Sequence, residues 1–406
     1  MIFHRTTGTP KGLLSVVAGN SPEIRGGLVE QLLQASPEAV VLSVSVEDGP
    51  SGGYPVVQRL MTTSGARSAV PTSLGATGDP VVILRQDLVA LRRATKDVHV
   101  VLALPEHVDV LPFLAELWRT RIGADSLEEH YDAAPVLVGV DPAVFLADIA
   151  CVHRAVRVWG GDAQGEPLTP AEAAARQVEA ADALVLTDAS PGSQEPGQAA
   201  NALVRHLNPR AGMITLGRIA ARQPTSGRVL TRPQVPVQAR EAWESRLDAV
   251  TYPYAYPETH QAVSSVVWRS RRPLHPERLA DALGDAMLGV VRSRGHLWLA
   301  SRPDAVVTWR SAGGHLEIRE ADRWLEAPAS PAWEAATPQR RTLACWFWDD
   351  YYGERRNEIA FTGAGLDLNR IAGALDSALL TESELSLGPE GWSAMNDPLL
   401  SETEDR

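Results

Sequence analysis

The side chains of this chain that could bind a metal or act as nucleophiles are few and widely spaced. It contains two cysteines, Cys151 and Cys345, so neither a disulfide framework nor a four-thiolate zinc site can form within one chain. Cys151 and His153 make a Cys-x-His pair at a predicted helix end, and a third ligand would have to come from elsewhere. His99 and His107 flank a predicted strand and stand too far apart to act together simply. We therefore expect the single histidines to be packed or surface groups.

The composition restricts the class of protein. A chain of 406 residues has the length of about two domains, and 44% hydrophobic with 22% charged residues is ordinary for a globular protein. The net charge of −12, with lysine nearly absent, argues against direct binding of nucleic acid through the whole surface. No signal-peptide core and no stretch of about 20 apolar residues is present. These features predict a cytoplasmic protein without a membrane span.

Short apolar runs alternate with helical patterns in the first half of the chain. Leucines at 28, 32 and 33 predict one helix, and Pro170 is well placed to begin another. Within "GDPVVILRQDL" (78–88), the apolar residues Val81 to Leu84 predict a strand, and a helix follows from Arg85. The other strands are predicted at 13–18, 39–46, 98–104, 135–141, 183–188 and 212–217. Continuous apolar strands separated by helices indicate a parallel sheet covered on both faces.

The pattern changes beyond residue 220. Prolines interrupt residues 221–262, which we interpret as a linker, and 400–406 is an acidic tail. The region between them predicts neighbouring strands with few crossovers, at 262–270, 296–301, 305–311, 315–320 and 357–363, and helices at 275–291 and 366–380. This order is typical of a smaller α+β domain with an antiparallel sheet.

Several segments of the second half carry a family resemblance. "VVRSRGHLWLASRPDAVVTWRSAGGHLEI", "YGERRNEIAFTGAGLDLNRIAGALDSALLTESEL" and "GWSAMNDPL" follow one another in order, and "VGVDPAVFLADI" and "TPAEAAARQVEAADALVLTD" lie upstream. Together they resemble the CobW family of P-loop GTPases, and most of all its actinobacterial branch associated with zinc limitation and recruitment of a ribosome hibernation factor. The resemblance implies a P-loop NTPase-like parallel three-layer αβα sandwich over 1–220, followed by an α+β CobW C-terminal domain over 263–399. It also implies a GTP-driven zinc metallochaperone.

The P-loop of that family is altered here. The pattern GxxxxGK[ST] uses glycines, a lysine and a hydroxyl to hold phosphates and Mg²⁺. In "GNSPEIRGG", Gly19 stands at the first glycine, Arg25 at the lysine and Gly26, followed by Gly27, at the hydroxyl, while Ile24 replaces the second glycine. We interpret these residues as a vestigial P-loop in a retained strand-loop-helix unit, in which only Arg25 could still contact an anion.

Two further nucleotide motifs are also altered. The guanine-reading motif NKxD has no match at the end of its strand, where Thr187 and Asp188 stand in "VLTDAS". The run that usually lies near the γ-phosphate and magnesium reads "ALPEHVD", in which Glu106 and Asp109 are the nearby carboxylates. Phosphoryl transfer depends on positioned charges and metal, so the loss of these groups together predicts impaired GTPase activity and doubtful binding of GTP and Mg²⁺.

The family's zinc-binding cysteines are missing as well. When "GDPVVILRQDL" is aligned on Gly78 and its "LRQDL" end, the three thiolate positions of the family's CxCC motif are occupied by Asp79, Val81 and Val82. Two valines and an aspartate cannot replace thiolates at a tetrahedral zinc ion. We therefore expect no zinc at this position.

These motifs leave alternative functions open. The first is a CobW-like protein of zinc homeostasis that acts through a protein partner, either a metalloprotein client or a ribosome-associated factor, without turning over GTP. The alternative is an active GTP-dependent zinc metallochaperone, or a GTPase that recruits a ribosome hibernation factor, with an atypical P-loop built on Arg25 and with Glu106 or Asp109 supporting Mg²⁺.

A third hypothesis is direct contact with nucleic acid or the ribosome. It would need a local patch of arginines, for which the candidates are Arg269, Arg271, Arg272, Arg292 and Arg294. The aromatic run "CWFWDDYYGERR" could stack bases or bind a partner, although packing in the core or between domains is the interpretation we favour.

Overall fold

The computed structural model describes residues 11–49, 52–62, 72–123, 125–187, 194–217, 230–326 and 330–400. In this part of the chain, an N-terminal region is built on a nine-stranded sheet and a C-terminal region on a five-stranded sheet. A separate two-stranded sheet joins β8 (Val156–Val158) to β9 (Glu166–Leu168).

The nine-stranded sheet is mostly parallel. Its order is β11-β10-β7-β1-β5-β2-β3-β4, and β6 pairs with β1 off this path. Among the pairings of these strands, β2 with β3 and β3 with β4 are antiparallel, and the others are parallel. The strands are β1 (Gly12–Gly19), β2 (Val40–Glu47), β3 (Val56–Thr62), β4 (Thr72–Thr77), β5 (His99–Ala103), β6 (Tyr131–Ala133), β7 (Leu137–Val140), β10 (Ala183–Leu186) and β11 (Gly212–Thr215).

Helices cover both faces of this sheet. They are α1 (Pro22–Ala35), α2 (Pro80–Ala94), α3 (Val110–Leu117), α4 (Leu127–His130), α5 (Pro142–Ile149), α6 (Pro170–Ala180), α7 (Gln194–Leu207) and α8 (Pro236–Leu247). Alternate residues of β1 point to opposite faces of the sheet. Leu14 and Val16 belong to one apolar cluster, whereas Val17 belongs to a second cluster together with Leu28 and Leu32 of α1. The predicted three-layer αβα architecture is confirmed.

Two predicted elements are wrong in detail. Val81 to Leu84 do not form a strand, because α2 already begins at Pro80 and the strand before it, β4, ends at Thr77. The stretch 221–262, predicted as a linker, contains helix α8, with Pro236 in its first turn and Trp243 buried against Trp118. Proline fits at the first turn of a helix, where its missing N–H has no intrahelical partner.

The C-terminal sheet is antiparallel, as predicted. Its order is β12-β16-β13-β14-β15, formed by β12 (Val263–Ser270), β13 (Val290–Leu297), β14 (Ala305–Ala312), β15 (His315–Arg323) and β16 (Asn357–Ala364). Helices α9 (Pro276–Ala286) and α12 (Leu368–Ser377) supply apolar residues to the core on one face. The shorter helices are α10 (Pro331–Ala335), α11 (Pro338–Trp346), α13 (Glu382–Leu385) and α14 (Gly388–Ser393).

The other face of this sheet meets the N-terminal region. Helix α6 contacts β14, and α7 contacts β12 and β16. His206 of α7 lies 2.8 Å from the hydroxyl of Ser265 on β12, and Val263 and Ala312 belong to the apolar cluster of the N-terminal region. The two sheets therefore share packed side chains as well as a covalent connection. Every helix in the described ranges is too short or too polar to traverse a bilayer.

Candidate functional site

The turn between β1 and α1 occupies the position of the altered P-loop. Only Asn20 and Ser21 separate the strand from the helix, which begins at Pro22. The hydroxyl of Ser21 caps the helix by accepting a hydrogen bond from the backbone N–H of Ile24 at 3.3 Å. Asn20 is held by two hydrogen bonds with the backbone of Asp141, at 2.7 and 3.0 Å. This is a tight capped turn rather than a wide loop around phosphates.

The residues aligned with the end of the P-loop lie inside α1. Ile24 is 1% exposed and packs against Gly139 of β7, where an added Cβ would come within 2.7 Å of its side chain. Gly26 and Gly27 follow in the helix, Gly26 exposed and Gly27 close to the side chain of Leu216. The second-glycine position is therefore a core position, and the flexibility of Gly26 and Gly27 is not used in a loop.

Arg25 is turned back onto its own strand. Its Nη1 donates a hydrogen bond to the backbone oxygen of Gly19 at 2.7 Å. Burial lowers the pKa of Arg25, and the carboxylates of Glu106 and Glu23 offset part of that effect. These carboxylates place negative charge near Arg25, which disfavours the binding of an anion there.

The other nucleotide candidates do not complete a site. Thr187 follows β10, and its N–H donates to the backbone oxygen of Val140 at 3.3 Å, while Asp188 lies outside the described residues. Glu106 is partly buried in the loop after β5, and its backbone oxygen accepts from the side-chain amide of Gln177. Asp109, the second carboxylate proposed to support Mg²⁺, is 2.9 Å from Arg176 and belongs to an ion-pair network.

That ion-pair network joins α6 to the C-terminal sheet. Arg176 contacts Asp109 at 2.9 Å and Glu172 at 2.7 Å. Arg292 of β13 contacts Glu172 at 2.5 Å and makes two bonds of 2.9 Å to Glu179. Burial alone would raise the pKa of Glu172, but Arg292 and Arg176 outweigh it and lower that pKa to about 2. The network therefore keeps Glu172 ionised at the contact between the two regions, and the same arginine, Arg292, lowers the pKa of Glu179.

Sequence reasoning missed this network, although a signal was present. Glu172, Arg176 and Glu179 are spaced three to four residues apart on a helix that is otherwise rich in alanine. Such spacing places charged side chains on one helical face, and here that face is buried. Their partner Arg292 was considered only as a nucleic-acid contact.

The segment that the sequence aligns with the family's metal motif is the start of helix α2. Asp79 caps α2, its Oδ1 accepting from the backbone N–H of Val81 at 2.8 Å and of Val82 at 3.3 Å. Val81 is 1% exposed and belongs to the core, while Val82 is partly buried in the same first turn. Among the described residues, no group of three or more His, Cys, Asp or Glu side chains is arranged to hold a metal ion.

The residues that aligned this motif have structural roles. Leu84 and Leu88 are core residues, and Arg85 donates to the backbone oxygens of Glu116 and Leu117 at the end of α3. Asp87 forms an ion pair of 2.9 Å with Arg59 of β3. The sequence "LRQDL" therefore fixes α2 to α3 and to the antiparallel edge of the sheet.

His99 lies at the start of β5, and His107 lies in the loop that follows this strand. His99 is buried beside the hydroxyl of Ser15 at 2.9 Å, and burial lowers its pKa. Burial also lowers the pKa of His107. Cys151 is a partly buried free thiol and Cys345 an exposed one.

The aromatic run after α11 divides into packed and exposed side chains. The Phe347 ring stacks on Tyr252 with centroids 5.7 Å apart, and Tyr352 packs edge-on against Trp298. In contrast, Trp346 is 76% exposed and Tyr351 is 83% exposed. Packing between elements accounts for part of the run, and Trp346 and Tyr351 are its most exposed aromatic side chains.

The proposed arginine patch is not a set of free cations. Arg269 pairs with Glu358, Arg272 with Glu382, and Arg292 with the glutamates of α6. Arg271 donates to the backbone oxygens of Phe347 and Gly353. Of the five candidates, Arg294 has the longest contact, 3.6 Å from Glu179. Most of the charge needed for phosphate contacts is therefore neutralised within the protein.

Comparisons with known proteins place the C-terminal region in a family. Residues 263–379 match the cobalamin synthesis protein cobW C-terminal domain. The zinc chaperone Rv0106 of Mycobacterium tuberculosis is 32% identical over 271 residues, which cover 66% of this chain and 64% of that protein. The zinc-regulated GTPase metalloprotein activator 1 of Dictyostelium discoideum is 26% identical over 230 residues, covering 55% of this chain and 47% of that protein. The matches thus span less than two thirds of either relative.

A solved structure is also similar at low level. The Zn(II)-bound YjiA GTPase of E. coli is 14% identical, covers 91% of this chain and 100% of its own, and has a TM-score of 0.34. The C-terminal region, residues 263–379, is thus a cobW-type C-terminal domain, and it follows an α/β region built on a mostly parallel sheet.

Proposed function

We propose that this chain is a CobW-family protein of zinc homeostasis that works without hydrolysing GTP and acts by binding a protein. The cobW C-terminal domain and the names of two relatives, a zinc chaperone and a zinc-regulated metalloprotein activator, support the link to zinc. The observation that carries the second part is the β1–α1 turn, where the helix begins at Pro22 and Arg25 bonds to Gly19. A phosphate chain there would have to displace the first turn of α1.

The proposal combines the loss of three kinds of site: for phosphate, for Mg²⁺ and for zinc. The phosphate-binding turn is a capped helix start, the candidate magnesium carboxylate Asp109 is held by Arg176, and the thiolate positions are Asp79, Val81 and Val82. Each group has a structural partner of its own, which supports a scaffold that persists without its ligands. Because catalysis of phosphoryl transfer depends on positioned charge, we expect no GTPase activity.

The experiment is isothermal titration of the purified protein with GTP and Mg²⁺, together with an assay of phosphate release. We expect no binding of GTP at the β1–α1 turn below about 1 mM, and no release of phosphate above the rate measured in buffer alone. Micromolar GTP binding with turnover would instead support the alternative, an active GTP-dependent metallochaperone or a GTPase that recruits a ribosome hibernation factor. Arg25→Gln then tests whether that binding uses the altered P-loop.

For the protein partner, the exposed aromatic side chains give a specific test. Trp346 and Tyr351 are the kind of residue that dominates binding energy at interfaces. We expect a metalloprotein client or ribosome-associated factor to co-purify with the wild-type chain from zinc-limited cells and to be lost with Trp346→Ala and Tyr351→Ala. Retention of the same partner by the double variant would contradict a role for these side chains.

A further inference from the structure

A cavity of about 470 Å³ lies between the N-terminal region and the C-terminal sheet. Its volume is within the range of about 300–1,000 Å³ typical of small-molecule sites. Residues of α6, the segment 245–254, β13, β14 and α11 line it. Six arginines face three carboxylates, Asp109, Glu179 and Asp248, so the lining has an excess of positive charge in an acidic protein.

Three of these arginines are neutralised by the protein. Arg176 and Arg292 belong to the ion-pair network of α6, and Arg246 lies 2.8 Å from Asp182. Their carboxylate partners account for two of the three acidic groups in the cavity, Asp109 and Glu179. The third, Asp248, accepts a hydrogen bond of 2.7 Å from the hydroxyl of Thr337.

Arg310 and Arg294 are less fully paired, since Arg310 makes no ion pair in the described ranges and Arg294 has one contact, 3.6 Å from Glu179. They are directly opposite each other on the antiparallel strands β14 and β13, so their side chains leave the same face of the sheet. Opposite residues have Cβ atoms about 4.5–5.5 Å apart, and like charges in such a pair are destabilising. The same side of the sheet carries Arg292, whose charge is already paired.

Arg310 makes no hydrogen bond or ion pair through its guanidinium in the described part of the chain. Its cross-strand neighbour Glu317 is 3.7 Å from Arg319 instead. Burial and the positive charges of Arg176 and Arg292 lower the pKa of Arg310, and Glu172 and Glu317 offset part of that effect. A partly buried cation without a direct ion pair is stabilised when an anion joins it.

We propose that this cavity binds a small molecule that carries a phosphate or carboxylate group and a flat ring, with Arg310 and Arg294 as the anion contacts. Guanidinium groups bind such oxyanions with two parallel hydrogen bonds. The ring would lie against the aromatic side chains that line the same cavity, Tyr252, Tyr254 and Trp346. Tyr254 already packs against a cation, since the guanidinium of Arg210 lies 5.1 Å from its ring centroid.

Three probes separate the chemical possibilities: inorganic pyrophosphate, citrate and AMP, each titrated calorimetrically into the full chain. We expect AMP to bind more tightly than pyrophosphate, because AMP supplies a ring as well as a phosphate. Binding of pyrophosphate and AMP without citrate identifies a phosphate site, and binding of citrate alone identifies a carboxylate site. Failure of all three at millimolar concentration, or AMP no tighter than pyrophosphate when pyrophosphate binds, would overturn the proposal.

Variants assign the binding to the cavity. Arg310→Gln should weaken the probe that binds by about tenfold or more, because a charge-assisted hydrogen bond is lost. The control is Arg323→Gln, which removes an exposed arginine of the same sheet outside the cavity. Arg310→Lys keeps the positive charge but cannot form two parallel hydrogen bonds, so it should give an intermediate affinity. This variant provides the test if Arg310→Gln does not fold. Unchanged affinity in Arg310→Lys and Arg310→Gln would contradict the proposal.

Discussion

The guanidinium of Arg25 donates a hydrogen bond to the backbone oxygen of Gly19, 2.7 Å away. These two residues align with the lysine and the first glycine of a P-loop, which in an active GTPase enclose the phosphates between them. Here they contact each other across a turn of Asn20 and Ser21, and Ile24 fills the space behind the turn. The two side chains of α1 therefore stabilise the same turn. Ile24 is buried in the core, and Arg25 forms a hydrogen bond to Gly19 across the turn.

Ile24 should be a stability residue. Ile24→Ala removes buried methyl groups that pack against Gly139, so we expect it to lower the free energy of unfolding by about 2–5 kcal/mol. The matched variant Ile24→Val should lower it by about 0.5–1.5 kcal/mol. Urea denaturation measures both. Equal and negligible effects of the two variants would show that Ile24 lies in an open loop.

The ion-pair network between α6 and β13 should be essential to the contact between the two regions. Arg292→Ala leaves Glu172 and Glu179 buried without their main partner, and we expect a loss of about 3–5 kcal/mol. The control Arg302→Ala breaks an exposed ion pair with Glu320 and should cost less than about 1 kcal/mol. Thermal denaturation compares the two variants, and similar midpoints would contradict the assigned role.

Asp148 on α5 should make stability depend on pH. Burial, with a smaller effect of Glu106, raises its pKa from 3.8 to about 6. The folded state therefore holds this proton more tightly than the unfolded state, so the contribution is favourable below pH 4 and is lost as pH rises through 6. Asp148→Asn should then stabilise the protein by about 1–2 kcal/mol at pH 8 and have little effect at pH 4.5.

The control for this pH effect is Asp281→Asn, which removes an exposed carboxylate on α9. Urea unfolding of wild type and both variants at the two pH values gives the comparison. A stabilisation by Asp148→Asn that is equal at pH 8 and pH 4.5 would contradict the raised pKa of this carboxyl group.

The empty thiolate positions can be tested by restoring them. Because Asp79, Val81 and Val82 occupy the cap and first turn of α2, the triple substitution to cysteine should bring three thiolates near one another and create a zinc site. Cysteine packs as a small apolar side chain, so the substitution at the buried Val81 is tolerated, while loss of the Asp79 cap costs about 1 kcal/mol. The absorbance of bound Co²⁺ reports the new site.

Asp79→Cys alone serves as the control, since one thiolate cannot form the site. Wild type and this single variant should contain no stoichiometric zinc by elemental analysis. Tight stoichiometric zinc in the wild-type protein would contradict the interpretation of this segment.

The sequence predicted the layers of the fold more accurately than its local boundaries. Buried strands such as β1 and β5 were found because parallel strands are continuous apolar runs, and Pro170 marked the start of α6. Val81 to Leu84 were misread as a strand because a short apolar run looks the same in a buried strand and a buried helix start. The cap made by Asp79 was the signal that could have decided between them.

The candidate site was predictable only in part. The turn between β1 and α1 lies within the stretch Gly19 to Gly27 that motif comparison singled out, because a motif depends on residues adjacent in sequence. In contrast, the arginine pair of the cavity depends on the register of β13 against β14, which places Arg294 opposite Arg310 across 16 positions of the chain. A shift of one residue would move either side chain to the other face of the sheet, so composition and spacing alone could not reveal the pair.

Calorimetric titration with GTP and Mg²⁺ tests the central claim most directly. We expect no heat of binding from the β1–α1 turn below about 1 mM nucleotide, and no difference in GTP affinity between wild type and Arg25→Gln. If GTP enters the cavity between the regions, that binding should be weakened by Arg310→Gln and unaffected by Arg25→Gln. Micromolar GTP binding that is lost in Arg25→Gln and retained in Arg310→Gln would mean that the β1–α1 turn binds the nucleotide, which contradicts the proposed function.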